Sequence, residues 1–274
     1  MSKKNPIGVF DSGFGGLTVL KELVKELPDY DFIYLGDNAR APYGNRSFEA
    51  VYEFTFQCVN HLFEAGSKLV IVACNTASAK ALRSIQQNDL PQMEGNKRVL
   101  GVIRPTTEII GSITKTKKVG IFATTGTVAS RSYVIEIEKF FPEITVFQEA
   151  CPMWVPIIEN NEINTPGAAG FVKQHVENLL KQSPDIDTII LGCTHYPLLI
   201  SRIKEFLPPH IQLLPQGEIV AKSLKNYLNR HPEIDDTCSK NGALEFLTTG
   251  SSDNFDRHGE LFFGRKIKSK TIHL

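Results

Sequence analysis

Leu69-Val70-Ile71-Val72-Ala73-Cys74-Asn75-Thr76 decides the fold. Its apolar residues run unbroken into a cysteine and then into small polar residues. Such a run suits a parallel strand buried on both faces. The following Asn75-Thr76-Ala77-Ser78-Ala79 suits the start of a helix. The pattern returns as Thr188-Ile189-Ile190-Leu191-Gly192-Cys193-Thr194-His195. A second pair repeats at nearly the same offset: Gly8-Val9-Phe10-Asp11-Ser12-Gly13 against Gly120-Ile121-Phe122-Ala123-Thr124-Thr125-Gly126. Two strand-to-loop signatures in the same order imply two similar units facing each other. The cysteine after each second strand raises this above the chance likeness of Val/Ile runs.

Around these anchors, strands are predicted at 7–10, 31–35, 98–103, 118–122, 145–149, 212–214 and 244–248. Helical periods lie between them. Phe48, Val51, Tyr52, Thr55, Cys58, Val59 and Leu62 share one face, with Ser47 as cap and Gly66 as stop. Phe171, Val172, His175, Val176, Leu179 and Leu180 form a second stripe within 167–182. Alternation of strand and helix predicts an α/β fold with parallel sheets.

The chain has 274 residues, of which 42% are apolar and 22% charged, as in a soluble globular protein. Lys+Arg and Asp+Glu balance at 30 each, which argues against general binding to nucleic acid or an anionic membrane. The polar stretch before Ile7 does not read as a signal peptide, and no run approaches a membrane span. A cytoplasmic protein is expected. Five cysteines, Cys58, Cys74, Cys151, Cys193 and Cys238, stand far apart without a C-x-x-C pair, so neither a zinc site nor any other metal centre is expected.

In open parallel sheets, ligands bind at the carboxyl ends of strands. Asp11-Ser12-Gly13-Phe14-Gly15-Gly16 follows the first strand and fits neither the Walker A pattern nor the dinucleotide fingerprint, because Thr18 stands where the last glycine belongs. Gly36-Asp37-Asn38-Ala39-Arg40-Ala41-Pro42-Tyr43-Gly44 reads as a loop after the second strand. Cys74 and Cys193 each stand where a strand meets a helix start, a place expected to favour the thiolate. His195, two residues after Cys193, can assist proton movement. Inverting a stereocentre at an acidic C–H needs a base on one face and an acid on the other, and two opposed thiols supply both. A G-x-S-x-G elbow is absent, which lowers a serine hydrolase reading.

Asp-Ser-Gly-Phe-Gly-Gly at 11–16, Ala-Pro-Tyr-Gly at 41–44, Ala-Cys-Asn-Thr-Ala-Ser at 73–78 and Gly-Cys-Thr-His-Tyr-Pro at 192–197 together resemble the bacterial glutamate racemases. The resemblance runs from Ile7 to about Phe255. It implies two flavodoxin-like α/β domains related by pseudo-symmetry, with the active site in the cleft between them. Residues 1–97 plus 210–274 would form one domain and 98–209 the other. It further implies cofactor-independent interconversion of L- and D-glutamate, supplying D-glutamate for peptidoglycan, by a protein that pairs as a homodimer. Relatives activated by a cell-wall precursor are longer before the first strand, so that regulation is not expected.

By the same resemblance, Cys74 faces the α-proton of D-glutamate and Cys193 that of L-glutamate. Asp11, His195 and Glu159 match the groups that assist the thiols. The segment around Glu159 is less regular, and Glu162 lies near. Asp11, Ser12, Tyr43, Gly44, Asn75, Thr76, Thr194 and His195 match substrate contacts, and Thr124, Thr125 and Thr127 are similarly placed. Pro215-Gln216-Gly217 departs from the common Asp-Ser-Gly turn and is expected to alter cleft-rim or helix-cap chemistry. Thr248-Thr249-Gly250-Ser251-Ser252-Asp253 reads as a strand end followed by a helix cap. Cys58 is expected in the core, and Cys151 and Cys238 carry no assigned role. The nearest alternative is a racemase for aspartate or another amino acid. A further one is a binding protein that holds an acidic ligand without turning it over.

Overall fold

The apolar runs become strands, and those at 7–11, 32–36, 69–72, 118–123 and 188–192 are buried along most of their length. The computed structural model describes residues 5–274, so Met1–Lys4 of the expected first domain lie outside the described residues. Among the described residues, ten strands form two sheets: β1 Ile7–Asp11, β2 Phe32–Gly36, β3 Leu69–Val72, β4 Arg98–Gly101, β5 Lys118–Ala123, β6 Thr145–Ala150, β7 Thr188–Gly192, β8 Gln212–Leu214, β9 Leu244–Thr248 and β10 Ser269–Thr271. The first sheet has the order β10-β9-β2-β1-β3-β4 and the second β6-β5-β7-β8. Every pairing is parallel. The run β2-β1-β3-β4 therefore has the same order as β6-β5-β7-β8. The sequence repeat is a structural repeat, and both units are flavodoxin-like.

Two expected boundaries move. Arg98–Gly101, assigned from sequence to the second domain, pairs with Leu69–Val72 in the first sheet. Gln212–Leu214, assigned to the first, pairs with Thr188–Ile190 in the second. The chain crosses between units after β4, at Val102, and again after β8, at Pro215-Gln216. Each of these strands extends its sheet at the edge beside the strand before it, β4 beside β3 and β8 beside β7. An apolar run does not show which sheet receives it. β10 was not foreseen: Ser269-Lys270-Thr271 has no apolar run and is strand only by pairing with Phe246–Thr248.

The helices follow their signals with two exceptions. Ser47 caps the helix Phe48–Glu64 by accepting from the Ala50 N–H at 3.2 Å, and Gly66 beyond its end takes φ 108°. Thr165 caps Pro166–Gln182, which buries Val172, His175, Val176 and Leu179. Phe48 and Phe171, placed on the apolar stripes, are exposed. Each sits in the first two turns of its helix. Ser251 caps Ser252–Phe263 after β9, as read from the sequence. One buried cluster runs through both units, from Ile7 and Leu20 to Leu191 and Tyr196, while smaller clusters cover the opposite face of each sheet. Each fully buried Leu, Ile or Phe contributes roughly 1.5–3 kcal/mol. Among the described residues, no helix is long and apolar enough to cross a membrane.

Asp187 anchors the start of β7. Its carboxylate accepts from the Thr114 hydroxyl at 2.7 Å, from the Lys115 and Thr116 N–H groups at 2.6 and 2.8 Å, and from the Thr188 hydroxyl at 2.9 Å. Burial opposes the charge, but these donors outweigh it and hold the carboxyl at about 2, below its ordinary 3.8. A lowered folded value means stability present above pH 3.8 and lost as pH falls through about 2. Asp187→Asn is expected to lower stability at pH 7 by about 1–3 kcal/mol, a shift of several degrees in Tm. The gap to wild type should close towards pH 2. Thermal melts across pH 2–7 test this, and a gap independent of pH would show that the charge is not its source.

Candidate active site

Both thiols stand at carboxyl ends of central strands. Cys74 follows β3 at the N-cap of the helix Asn75–Lys80, where its Sγ accepts from the Ala77 N–H at 3.4 Å. The Ser12 hydroxyl, at the end of β1, lies 3.4 Å from the same sulfur. Asp11 is fully buried and does not hydrogen-bond this thiol. It accepts from the Gly13 N–H at 2.9 Å and from the Thr194 hydroxyl of the other unit at 3.4 Å. Burial raises the Asp11 carboxyl, and His195 partly offsets this.

The expected ease of forming a thiolate at Cys74 is not met. Burial, then the nearby Asp11 carboxylate, pushes the thiol up to about 12. The bonds from Ser12 and the Ala77 N–H pull the other way and do not compensate. One turn of helix offers partial charge only, while a buried sulfur without a cation pays the full desolvation penalty.

Cys193, the counterpart after β7, has a different setting. Its Sγ is 3.8 Å from His195 Nδ1, and His195 Nε2 is 2.8 Å from Glu159 Oε1 at the end of the helix Trp154–Glu159. Burial disfavours the imidazolium, but the Cys193 sulfur and the Glu159 carboxylate outweigh it and push His195 up to about 10. Glu159, sulfur and ring thus form a line that holds positive charge beside one thiol only. Glu162, the neighbour that competed with Glu159 in the sequence, is exposed.

The other strand-end loops close the site. The Gly126 N–H donates to the Gly44 carbonyl at 2.7 Å. Thr76 Oγ1 lies 2.9 Å from Thr124 Oγ1 and 3.4 Å from Thr127 Oγ1 across the units, while Thr125 is exposed. The Tyr43 phenol is buried and donates to Asp37, so it holds the loop instead of presenting a hydroxyl. Opposite Cys193, Gly15 permits a close approach: a Cβ there would run into the Thr194 hydroxyl and the His195 ring.

Some participants were not read from the sequence. Thr18 donates to the Thr194 carbonyl at 2.9 Å, tying the first helix to the Cys193 loop. Phe262 meets the His195 ring edge-on at 5.1 Å. His258 Nε2 lies 3.0 Å from the Glu159 carbonyl oxygen. None of these carries a local motif, because each acts across the cleft. Gln216 makes no side-chain cap for the helix it precedes and is not on the rim; it is buried between the crossings. Cys58 is buried beside Arg40, and Cys151 and Cys238 are also buried and free.

A thiol raised to about 12 reacts only through its rare thiolate. Alkylation of Cys74 by iodoacetamide, followed by peptide mass analysis, should rise about tenfold per pH unit through pH 8–10, without levelling. A plateau near pH 9 would place the thiol at its ordinary value.

Comparison with known proteins agrees with the fold. The profile of the Asp/Glu/Hydantoin racemase family matches residues 7–223. A glutamate racemase from Ruegeria sp. is 41% identical, covering 95% of this chain and 97% of its own. The crystal structure of glutamate racemase isoform RacE1 from Bacillus anthracis superposes with a TM-score of 0.90 at 37% identity, over 99% of this chain and 98% of that one. The Francisella tularensis glutamate racemase, solved in complex with D-glutamate, gives 0.87 at 31% identity over 98% of each chain. The chain belongs to the Asp/Glu/Hydantoin racemase family and is a racemase.

Proposed function

We propose that the protein interconverts L- and D-glutamate by two-base proton transfer between Cys74 and Cys193. The observation that carries this reading is the pair of thiols at equivalent strand ends of two repeated units, whose loops meet where Asp11 accepts from Thr194 and Thr76 reaches Thr124. One sulfur, as thiolate, takes the α-proton; the C–H electron pair passes onto carbon and into the carboxylate. The opposite thiol then donates its proton to the other face. Carbon ends with inverted configuration, and the two sulfurs end with exchanged protonation states.

The surrounding groups have separate tasks. His195, held by Glu159, sets positive charge beside Cys193, and Ser12 and the Ala77 N–H support a thiolate at Cys74. Asp11 orders Thr194 and the Gly13 turn. Ser12, Asn75, Thr76, Thr194 and the Tyr43-Gly44 loop receive the substrate's polar groups. Glutamate is favoured because relatives near 40% identity over almost their whole length are named for it. An aspartate racemase from Picrophilus torridus shares the fold at 17% identity, which supports the fold alone. The reading places the enzyme in the cytoplasm as a homodimer that supplies D-glutamate to peptidoglycan synthesis.

Cys74→Ser and Cys193→Ser should each lower racemisation at least ~10²–10⁴-fold, the range typical of a lost general acid or base. In D₂O, newly formed D-glutamate should carry α-deuterium while recovered L-glutamate stays protonated early in the reaction. Circular dichroism and mass spectrometry read both, on glutamate and aspartate in parallel. Equal early labelling of both enantiomers would point to one shared base and sink the mechanism. Faster turnover of aspartate would move the substrate assignment.

A further inference from the structure

Gln216 lies at the return crossing between the units and is 4% exposed. Its Nε2 donates to the Val102 carbonyl at 3.0 Å, which is the outgoing crossing, and so ties the two connections together. The same nitrogen lies 3.0 Å from Thr106 Oγ1 and 2.8 Å from the Tyr133 hydroxyl oxygen. The Tyr133 hydroxyl donates to Asn75 Oδ1 at 2.6 Å. Asn75 follows Cys74 directly, opens the helix Asn75–Lys80, and is 2% exposed. Its Nδ2 is buried and has no hydrogen-bond partner among the described residues.

The polarity of this chain is fixed at one end. The Val102 carbonyl can only accept, so the Gln216 nitrogen, not its oxygen, must face it. A donating Gln216 makes the Tyr133 oxygen an acceptor and leaves the phenolic proton for Asn75. Burial pushes the Tyr133 phenol further above its ordinary value, so that proton stays in place. Asn75 must then turn its oxygen to Tyr133 and keep both N–H bonds free. An unpartnered buried amide of this kind is costly. The cost is offset when an anionic acceptor arrives.

We propose that Gln216 is a positioning residue for substrate binding: through Tyr133 it locks the Asn75 amide with its N–H bonds held for a carboxylate of the amino-acid substrate. The assignment deepens the racemase reading and rests on it. Because Gln216 also joins the two crossings, the lock is set by how the units are connected and not by the cleft surface.

Kinetics of Tyr133→Phe, Gln216→Met and Gln216→Glu on both enantiomers test the assignment. Tyr133→Phe removes one oxygen and keeps the ring, so it serves where the Gln216 variants fail to fold. KM for both enantiomers should rise about tenfold or more with kcat within about threefold, the signature of lost uniform binding. Gln216→Glu should be the most severe, since it sets an acceptor against the Val102 carbonyl. Gln216→Met with Tyr133→Phe should be no worse than the worse single variant, while Gln216→Met with Ser12→Ala should multiply. A fall in Tm with KM unchanged, a loss confined to kcat, or multiplicative effects of Gln216→Met and Tyr133→Phe would overturn the assignment. Wild-type protein assayed alongside separates the two readings: no turnover of glutamate there would overturn the functional reading and this one with it.

Discussion

Parallel pairing of β1 with β3, and of β5 with β7, is the constraint on which the rest depends. A parallel sheet sends all of its strand ends to one edge. The loops after β1 and β3 are therefore neighbours, as are those after β5 and β7. Because the chain crosses twice between the sheets, the two edges meet. Asp11 reaches Thr194, and Thr76 reaches Thr124, only through that meeting. A strand slipped by one residue would turn Cys74 or Cys193 to the opposite face and away from its partners.

The repeat is topological and not electrostatic. Cys74 has a hydroxyl, an N–H and a nearby carboxylate, and burial holds it protonated. Cys193 has an imidazole braced by a carboxylate. Two equal thiols would leave the resting charge undecided. The unequal surroundings favour a defined starting state, with the proton on the Cys74 side and positive charge on the other. In the two-base mechanism proposed above, inversion requires one acid and one base at the same moment, a requirement that this asymmetry would meet.

Much of this was legible because it is local. An apolar run ending in Cys-Asn-Thr or Cys-Thr-His marks a strand end, and its recurrence marks the second unit. The caps at Ser47 and Ser251 follow from side chains that satisfy N–H groups within three residues. What escaped depends on distant partners. Arg98–Gly101 and Gln212–Leu214 were seen as strands, but their sheets are set by register. Thr18, Tyr133, Gln216, His258 and Phe262 act through contacts made only after both units have folded. The Cys74 thiol was misjudged for the same reason: a sequence shows the helix start but not the depth of burial.

A chain of zero formal charge can still carry a site suited to the two carboxylates of the proposed substrate. The cleft is built from hydroxyls, amides and backbone N–H groups on helix starts, with one imidazolium as its charged donor. Such donors are pre-aimed by the fold and lose little on binding, whereas a mobile lysine or arginine would have to be ordered. Only His195, braced by Glu159, sets positive charge beside a thiol, and it stands beside Cys193 alone. In the two-base mechanism proposed above, each sulfur alternates between acid and base. The absence of a basic excess in the sequence, first met as an argument against nucleic-acid binding, is thus consistent with a site in which charge must remain transferable.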